Sequence, residues 1–180
     1  MKYLLTGEET ERLEFRLLNE SDFETWLPLF DNKDVARFLA LDETKSKQEL
    51  CEFWFEKAFN RYKNDLGGMN VLIEKSTGNF IGQCGLLVQE IDGETRLEVG
   101  YSMLPKYWGR GFASEAAIKC KEFAFEYNFA DSIISVIHPD NIGSRKVAIR
   151  NGMSLKKQTE FHGMPAQIFE VLKKQLKAKK

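Results

Sequence analysis

The sequence predicts an α/β (α+β) domain: a mixed, mostly antiparallel sheet of about six or seven strands with helices on both faces. Three observations carry this. The hydrophobic period changes from helical to alternating at Gly67-Gly68, which separates an early helical region from a run of strands. Turn signals at Ser76-Thr77-Gly78-Asn79 and Asp92-Gly93 fold that run into antiparallel hairpins. A strand, a glycine loop and a helix then follow at 100–124, with a β-branched strand, Ser132 to His138, behind them. That crossover makes the last strand parallel to the one before the loop.

The elements follow in order. Arg12 to Leu18 alternates, with Leu13, Phe15 and Leu17 on one face, and reads as a first strand. Ser21-Asp22-Phe23-Glu24 has the form of a capping box. The helix it would open carries Phe23, Trp26, Leu27 and Phe30 on one side, and Pro28 should split it. A short helical piece, Asp34 to Leu39, follows. A second capping box, Ser46-Lys47-Gln48-Glu49, opens a helix whose stripe reads Leu50, Phe53, Trp54, Lys57/Ala58 and Arg61. Strands are expected at 70–75, 80–89 and 95–104. The helix after the glycine loop should run to about Phe129, burying Ala113, Ala116, Ala117, Cys120, Phe123/Ala124 and Tyr127. Pro139-Asp140-Asn141 ends the next strand, and 142–151 is a short helix stopped by Gly152. Met153 to Phe161 and Ala166 to Leu172 close the chain as a hairpin around His162-Gly163.

Composition narrows the functional classes. At 180 residues and 43% hydrophobic, residues 1–180 read as one globular domain with a full core, ending in a basic tail at 173–180. A net charge of −1 gives no global attraction to nucleic acid. Met1 to Thr10 lacks an apolar core, and no run approaches a membrane span, so a cytoplasmic protein without membrane attachment is expected. Cys51, Cys84 and Cys120 have no metal or redox spacing and read as reduced, buried thiols. His138 precedes a proline and His162 sits in a turn; neither has a metal-spaced or nucleophile partner, so no metal is expected.

The informative stretch is Tyr107-Trp108-Gly109-Arg110-Gly111-Phe112-Ala113-Ser114-Glu115-Ala116. Glycines let backbone N–H groups approach a ligand, and a helix start offers unpaired donors and a positive dipole end. The order therefore describes an anion site suited to a phosphate or pyrophosphate. A dinucleotide fingerprint fits poorly: Asp131 lies at the start of the following strand, not at its end where a ribose would be held. No GxxxxGK[ST] loop occurs. A plain strand-to-helix turn without a ligand is the remaining reading of the loop by itself.

The chain also resembles the GNAT superfamily of N-acetyltransferases over nearly its whole length, and within it the RimJ/RimL-like branch that acetylates ribosomal-protein N-termini. The residues that carry the likeness are Leu13 to Leu39, Glu98-Val99-Gly100-Tyr101-Ser102-Met103-Leu104, the glycine loop, and Asn141-Ile142-Gly143-Ser144-Arg145-Lys146-Val147-Ala148 followed by Asn151-Gly152-Met153. The superfamily loop pattern Q/R-x-x-G-x-G/A falls on Trp108 to Ala113, with Trp108 in place of the polar residue. The resemblance implies a three-layer fold and direct transfer of an acetyl group from acetyl-CoA to a primary amine, either a protein N-terminus or a small molecule. It implies Gly109, Arg110, Gly111, Phe112, Ala113 and Ser114 at the pyrophosphate and Ser102, Met103 and Leu104 along the pantetheine arm. It further implies Asn141 beside that arm, Ser144 at the departing thiolate, and Glu98 as the base. A non-catalytic acyl-CoA-binding sensor or interaction module would share the loop and differ at Glu98 and Ser144. Monomer and homodimer both fit. The acceptor would be shaped by the early helices, the loop Leu41 to Ser46, the Gly67-Gly68 region and the hairpin His162 to Pro165, with Phe38, Trp54 and Tyr107 as candidate lining.

Overall fold

In the computed structural model, residues 2–174 are described, so most of the basic tail lies outside the described residues. Seven strands form one sheet in the order β1-β2-β3-β4-β5-β7-β6. They are β1 (Leu13–Arg16), β2 (Gly67–Glu74), β3 (Asn79–Ile91), β4 (Glu94–Met103), β5 (Ser132–Ile137), β6 (Ser154–Phe161) and β7 (Met164–Leu172). The helices are α1 (Phe23–Trp26), α2 (Lys33–Phe38), α3 (Lys47–Lys63), α4 (Phe112–Glu126) and α5 (Ile142–Arg150). Every strand pair is antiparallel except β4–β5. The helices cover both faces: Gln83 reaches Trp54 of α3, whereas its neighbour Cys84 touches Cys120 of α4. Successive strand residues point to opposite faces, so α3 and α4 lie on opposite sides.

Pro28 splits the first helix as expected: α1 ends at Trp26 and a 3-10 turn covers Leu27–Asp31. The cap is one step from the expected place. Ser21 does not cap; the carboxylate of Asp22 accepts the Asn19 N–H at 2.9 Å, and Asn19 begins the turn. Arg16 at the end of β1 holds Asp22 with two contacts of 2.7 Å, a bidentate pairing that fixes the carboxylate over the helix entry. The capping box at Ser46 and Glu49 forms as read. On α3 the buried face is Leu50, Cys51, Phe55, Ala58 and Arg61, and Phe53 is half exposed. The helix is rotated so that Phe55 packs at a tilt against Phe23. On α4 the expected end at Phe129 is too late. Asn128 takes a left-handed φ of +56° and the Phe129 N–H returns to Ala124 O at 2.9 Å, which stops the helix at Glu126. Tyr127 is thereby left exposed, and Phe112 and Phe125 are buried instead. Trp26 anchors the other face, stacked on Phe80 with ring centroids 5.3 Å apart.

The start of α4 is tied to the chain before β1. Glu115 accepts Thr10 Oγ1 at 2.5 Å, the Arg12 N–H at 3.0 Å and Arg12 Nε at 2.6 Å. Partial burial pushes the Glu115 carboxyl up, but the hydrogen bonds from Thr10 and Arg12 outweigh it and hold the carboxyl below the usual range. A depressed folded-state pKa stabilises the fold above the unfolded value and loses that contribution as pH falls through the folded value. Glu115→Ala should therefore lower stability by about 2 kcal/mol. In urea melts, the difference from the parent should shrink toward low pH; a difference that persists unchanged at low pH would contradict this account.

Candidate active site

The glycine loop adopts the geometry an anion site needs. After β4, a 3-10 turn at Pro105–Tyr107 leads to Gly109 and Gly111, with φ of +75° and +83°. An L side chain is strained in that region. Gly111 is the N-cap of α4, so the N–H groups of Phe112, Ala113 and Ser114 have no partner within the helix. A Cβ placed on Gly109 would meet nothing within 4 Å, and Gly109 and Gly111 both border open space. Ser114 Oγ is buried, and among the described residues it has no hydrogen-bond partner; Ser114 lines that space. Phe112 is buried, with the Arg12 and Arg110 guanidiniums 4.4 and 4.8 Å from its ring centre. Arg110 turns its side chain to Glu74 at 2.9 Å. The ion pair with Glu74 and the stacking on Tyr107 and Phe112 hold this side chain against the loop.

The second feature is a gap in the sheet. β4 and β5 pair at one position, Glu98 with Ile134, and Val99–Met103 and Ser135–Ile137 continue without pairing to each other. Leu104 N–H bonds Ile81 O at 3.0 Å, which sets the alternation along β4. Ser102 and Gly100 therefore turn their backbone groups to β3, whereas Val99, Tyr101 and Met103 turn theirs to the gap. Val99 O is met there by Ser135 Oγ at 2.8 Å, and Met103 O by Trp108 Nε1 at 2.7 Å. The expected edge of Ser102, Met103 and Leu104 is thus refined: Met103 offers its N–H to the gap, as does Tyr101, to which the sequence reading gives no role at the site. Ser102 contributes its side chain to the cavity wall, and Leu104 is buried outside it.

α5 closes the other side of the gap. Asn141 Oδ1 caps the helix by accepting the Ser144 N–H at 3.0 Å, which leaves the amide NH2 for a second partner. Tyr101 Oη donates to Ser144 O at 2.7 Å, tying α5 to β4 across the gap. Ser144 lines the same space, and its side chain, like that of Ser135, lies in hydrogen-bonding reach of the Tyr101 hydroxyl.

Glu98 sits where the two strands part. It is 8% exposed. Gln89 Nε2 donates to Oε2 at 2.7 Å, and the Val136 N–H donates to Oε1 at 3.3 Å. Burial pushes the carboxyl above the usual range; those two donors, Arg61 and Lys57 offset part of that effect. His138 is held by its own loop, accepting the Asp140 N–H on Nδ1 at 3.1 Å.

A single cavity of about 800 Å³ joins these parts. At one end it is lined by Gly109, Gly111, Phe112, Ala113 and Ser114, and in the middle by Tyr101, Met103, Asn141 and Ser144. At the other end stand Glu98, Gln89, Trp54 and Lys57, with Phe161 and Met164 from the closing hairpin. Phe38 and Tyr107 also line it, whereas the Leu41–Ser46 loop and Gly67-Gly68 do not. The open loop, the orphaned Ser114 hydroxyl and the unpaired strand edge fit a coenzyme A pyrophosphate and its extended arm.

Residues 12–154 match the family model described as the acetyltransferase (GNAT) domain. The chain belongs to the GNAT acetyltransferase family. The uncharacterized protein YkkB of Bacillus subtilis (strain 168) is 30% identical over 166 residues, covering 89% of this chain and 92% of that protein. An acetyltransferase from Agrobacterium tumefaciens str. C58 has the same fold, with a TM-score of 0.76 at 23% identity over 91% of this chain and 92% of that one. RimL, the ribosomal L7/L12 alpha-N-protein acetyltransferase solved in complex with coenzyme A, superposes with a TM-score of 0.72 at 16% identity over 92% of this chain and 97% of its own. The sequence reading gives Tyr101, Ser135 and Lys57 no role at the site, with Lys57 placed only on the α3 stripe and Tyr101 only along the strand. Tyr101 and Lys57 are spaced as core residues, and only the register of β4 and the lie of α3 turn them to the cavity.

Proposed function

We propose that this GNAT domain moves an acetyl group from acetyl-CoA directly onto a primary amine. The observation that carries the proposal is the shared cavity. It runs unbroken from the unpartnered N–H groups at the start of α4, through the parted edge of β4, to the buried carboxylate of Glu98. Acetyl-CoA, when bound, supplies the acyl group as an activated thioester. The backbone of Arg110 to Ser114 and the Ser114 hydroxyl hold the pyrophosphate. Tyr101, Met103 and the amide of Asn141 hold the pantetheine arm, and the Met103 N–H polarises the acetyl carbonyl.

Glu98 takes the proton from the incoming amine. A carboxyl whose pKa is raised by burial is a better proton acceptor near neutrality than an exposed one. The rate should therefore rise with pH through that raised value. Ser144 Oγ donates to the departing thiolate. An acyl-cysteine route has no support: Cys51, Cys84 and Cys120 are all buried, and burial pushes the Cys51 thiol up to about 12 and that of Cys120 well above its usual value. A cytoplasmic setting belongs to the same proposal.

The test is amine-dependent release of free thiol from acetyl-CoA across a panel of primary amines. Coenzyme A binding without thiol release from any amine would replace this reading with that of a non-catalytic acyl-CoA-binding module. Ser144→Ala should lower kcat by about tenfold or more, with acetyl-CoA affinity nearly unchanged because Ser144 O and its N–H keep their partners. Unchanged turnover would remove Ser144 from the mechanism.

A further inference from the structure

The acceptor end of the cavity holds an unequal set of charges. Arg61 is committed to the fold: its Nη2 donates to Leu66 O at 2.9 Å and to Val88 O at 2.6 Å. Gln89 is committed to Glu98. The other two carboxylates on the cavity wall, Asp34 and Asp140, share Arg37 at 3.1 and 3.3 Å. Lys57 is different. It lies one helical turn from both Trp54 and Arg61 on α3, is half-buried, and lines the same end of the cavity as Glu98. Its ammonium makes no hydrogen bond or ion pair among the described residues.

A half-buried ammonium without a partner is unfavourable in the free protein. Burial, followed by the nearby Arg61, holds the Lys57 pKa below its usual value, with Glu98 offsetting part of the effect. An anion entering the cavity would reverse that penalty. Met69, Leu87 and Phe161 supply apolar wall around the charged groups. The cavity of about 800 Å³ must also take the donor arm, so the space left suits a small molecule.

Resting on the acetyl-transfer reading above, we propose that the acceptor is a small primary amine that also bears a carboxylate, an amino acid or a close analogue. Its amine is presented to Glu98 and its carboxylate to Lys57. Lys57 and Arg61 together repel a polyamine, whose every nitrogen is cationic, so the same arrangement selects against that class.

The experiment measures thiol release from acetyl-CoA with amino acids, the matching amino-acid carboxamides, the matching decarboxylated amines and spermidine. The free amino acids should exceed the other three classes by about tenfold or more in kcat/KM, the scale of one charge-assisted contact. Lys57→Met should raise KM for the amino acids by about the same factor, leave kcat within about twofold and leave the carboxamides unaffected. Lys57→Glu should turn the preference toward the amines that lack a carboxylate. Equal use of amino acids and carboxamides, or a preference for spermidine that Lys57→Met does not alter, overturns the proposal while leaving acetyl transfer intact. Coenzyme A binding with no thiol release from any amine overturns the acetyl-transfer reading, and this proposal with it.

Discussion

Glu98→Gln is expected to lower kcat/KM by a factor of about 10²–10⁴, the usual span for a lost general base, without weakening the fold. The two effects separate because of where Glu98 sits. Its carboxyl group lies in a residue 8% exposed, accepts hydrogen bonds from Gln89 and the Val136 N–H, and has no ion-pair partner within contact distance among the described residues. Burial therefore raises its folded-state pKa. A carboxyl with a raised folded-state pKa favours folding at low pH and loses that contribution as pH rises through the window between the unfolded and folded values. Above the window the ionised group is a cost to stability. Glutamine keeps the shape and the acceptor for Val136 but carries no charge. Its melting temperature at neutral pH should equal or exceed the parent's, as happens where a site holds a group for function and not for stability. The pH–rate profile gives the sharper reading. The parent should lose activity toward low pH as Glu98 takes up a proton, and the variant should lack that limb. A variant that retained the acidic limb would assign the base to another group.

Gly109→Ala should weaken coenzyme A binding by about ten- to a hundredfold while lowering the melting temperature by only a few degrees. Gly109 has φ of +75°, which is unfavourable by about 1–2 kcal/mol for an L side chain. That strain is the whole effect on the free protein, because an added Cβ meets no atom within 4 Å. Gly109 lines the cavity, where the ligand's phosphates approach the backbone. Relaxing the strain would also turn the following N–H groups away from their common focus. Arg110→Ala is the matching control. The guanidinium is engaged with Glu74 and does not reach the cavity, so affinity should change by less than about threefold despite the lost positive charge. Titration calorimetry with coenzyme A measures both. Equal losses at the two positions would mean that the loop binds by charge and not by backbone geometry.

These two residues also show what the sequence could and could not convey. Gly109 and Gly111 are legible because only glycine is comfortable at positive φ, and a small-residue helix follows at once. The antiparallel hairpins and the parallel step at β4–β5 are legible for a similar reason, because turn chemistry and period are local properties, whereas the place of β7 between β5 and β6 is set by tertiary pairing. Glu98 is legible as a charged residue on a strand that should be half buried. Lys57 is not, because a lysine on a helical stripe ordinarily extends to water, and only the packing of α3 over β2–β4 turns it inward. Tyr101 is hidden by the register of β4 against β3, which decides which backbone N–H groups reach the gap. Phe53 and Tyr127 were read as buried because their spacing fits a stripe, but helix rotation and the stop at Asn128 are set by tertiary contacts. The cap at Asn19 was missed for the same reason, since Arg16 on the adjacent strand positions Asp22.

The most direct test of the central claim, that the parted strands and the glycine loop form one donor site, is a crystal structure with coenzyme A bound. The pyrophosphate should lie on the N–H groups of Arg110 to Ser114, within reach of Ser114 Oγ. The pantetheine arm should lie between β4 and β5 beside Tyr101 and Met103, with the thiol end near Ser144 and the opening toward Glu98. Coenzyme A bound elsewhere on the surface, or β4 and β5 paired beyond Glu98 and Ile134 so that no arm fits between them, would contradict it.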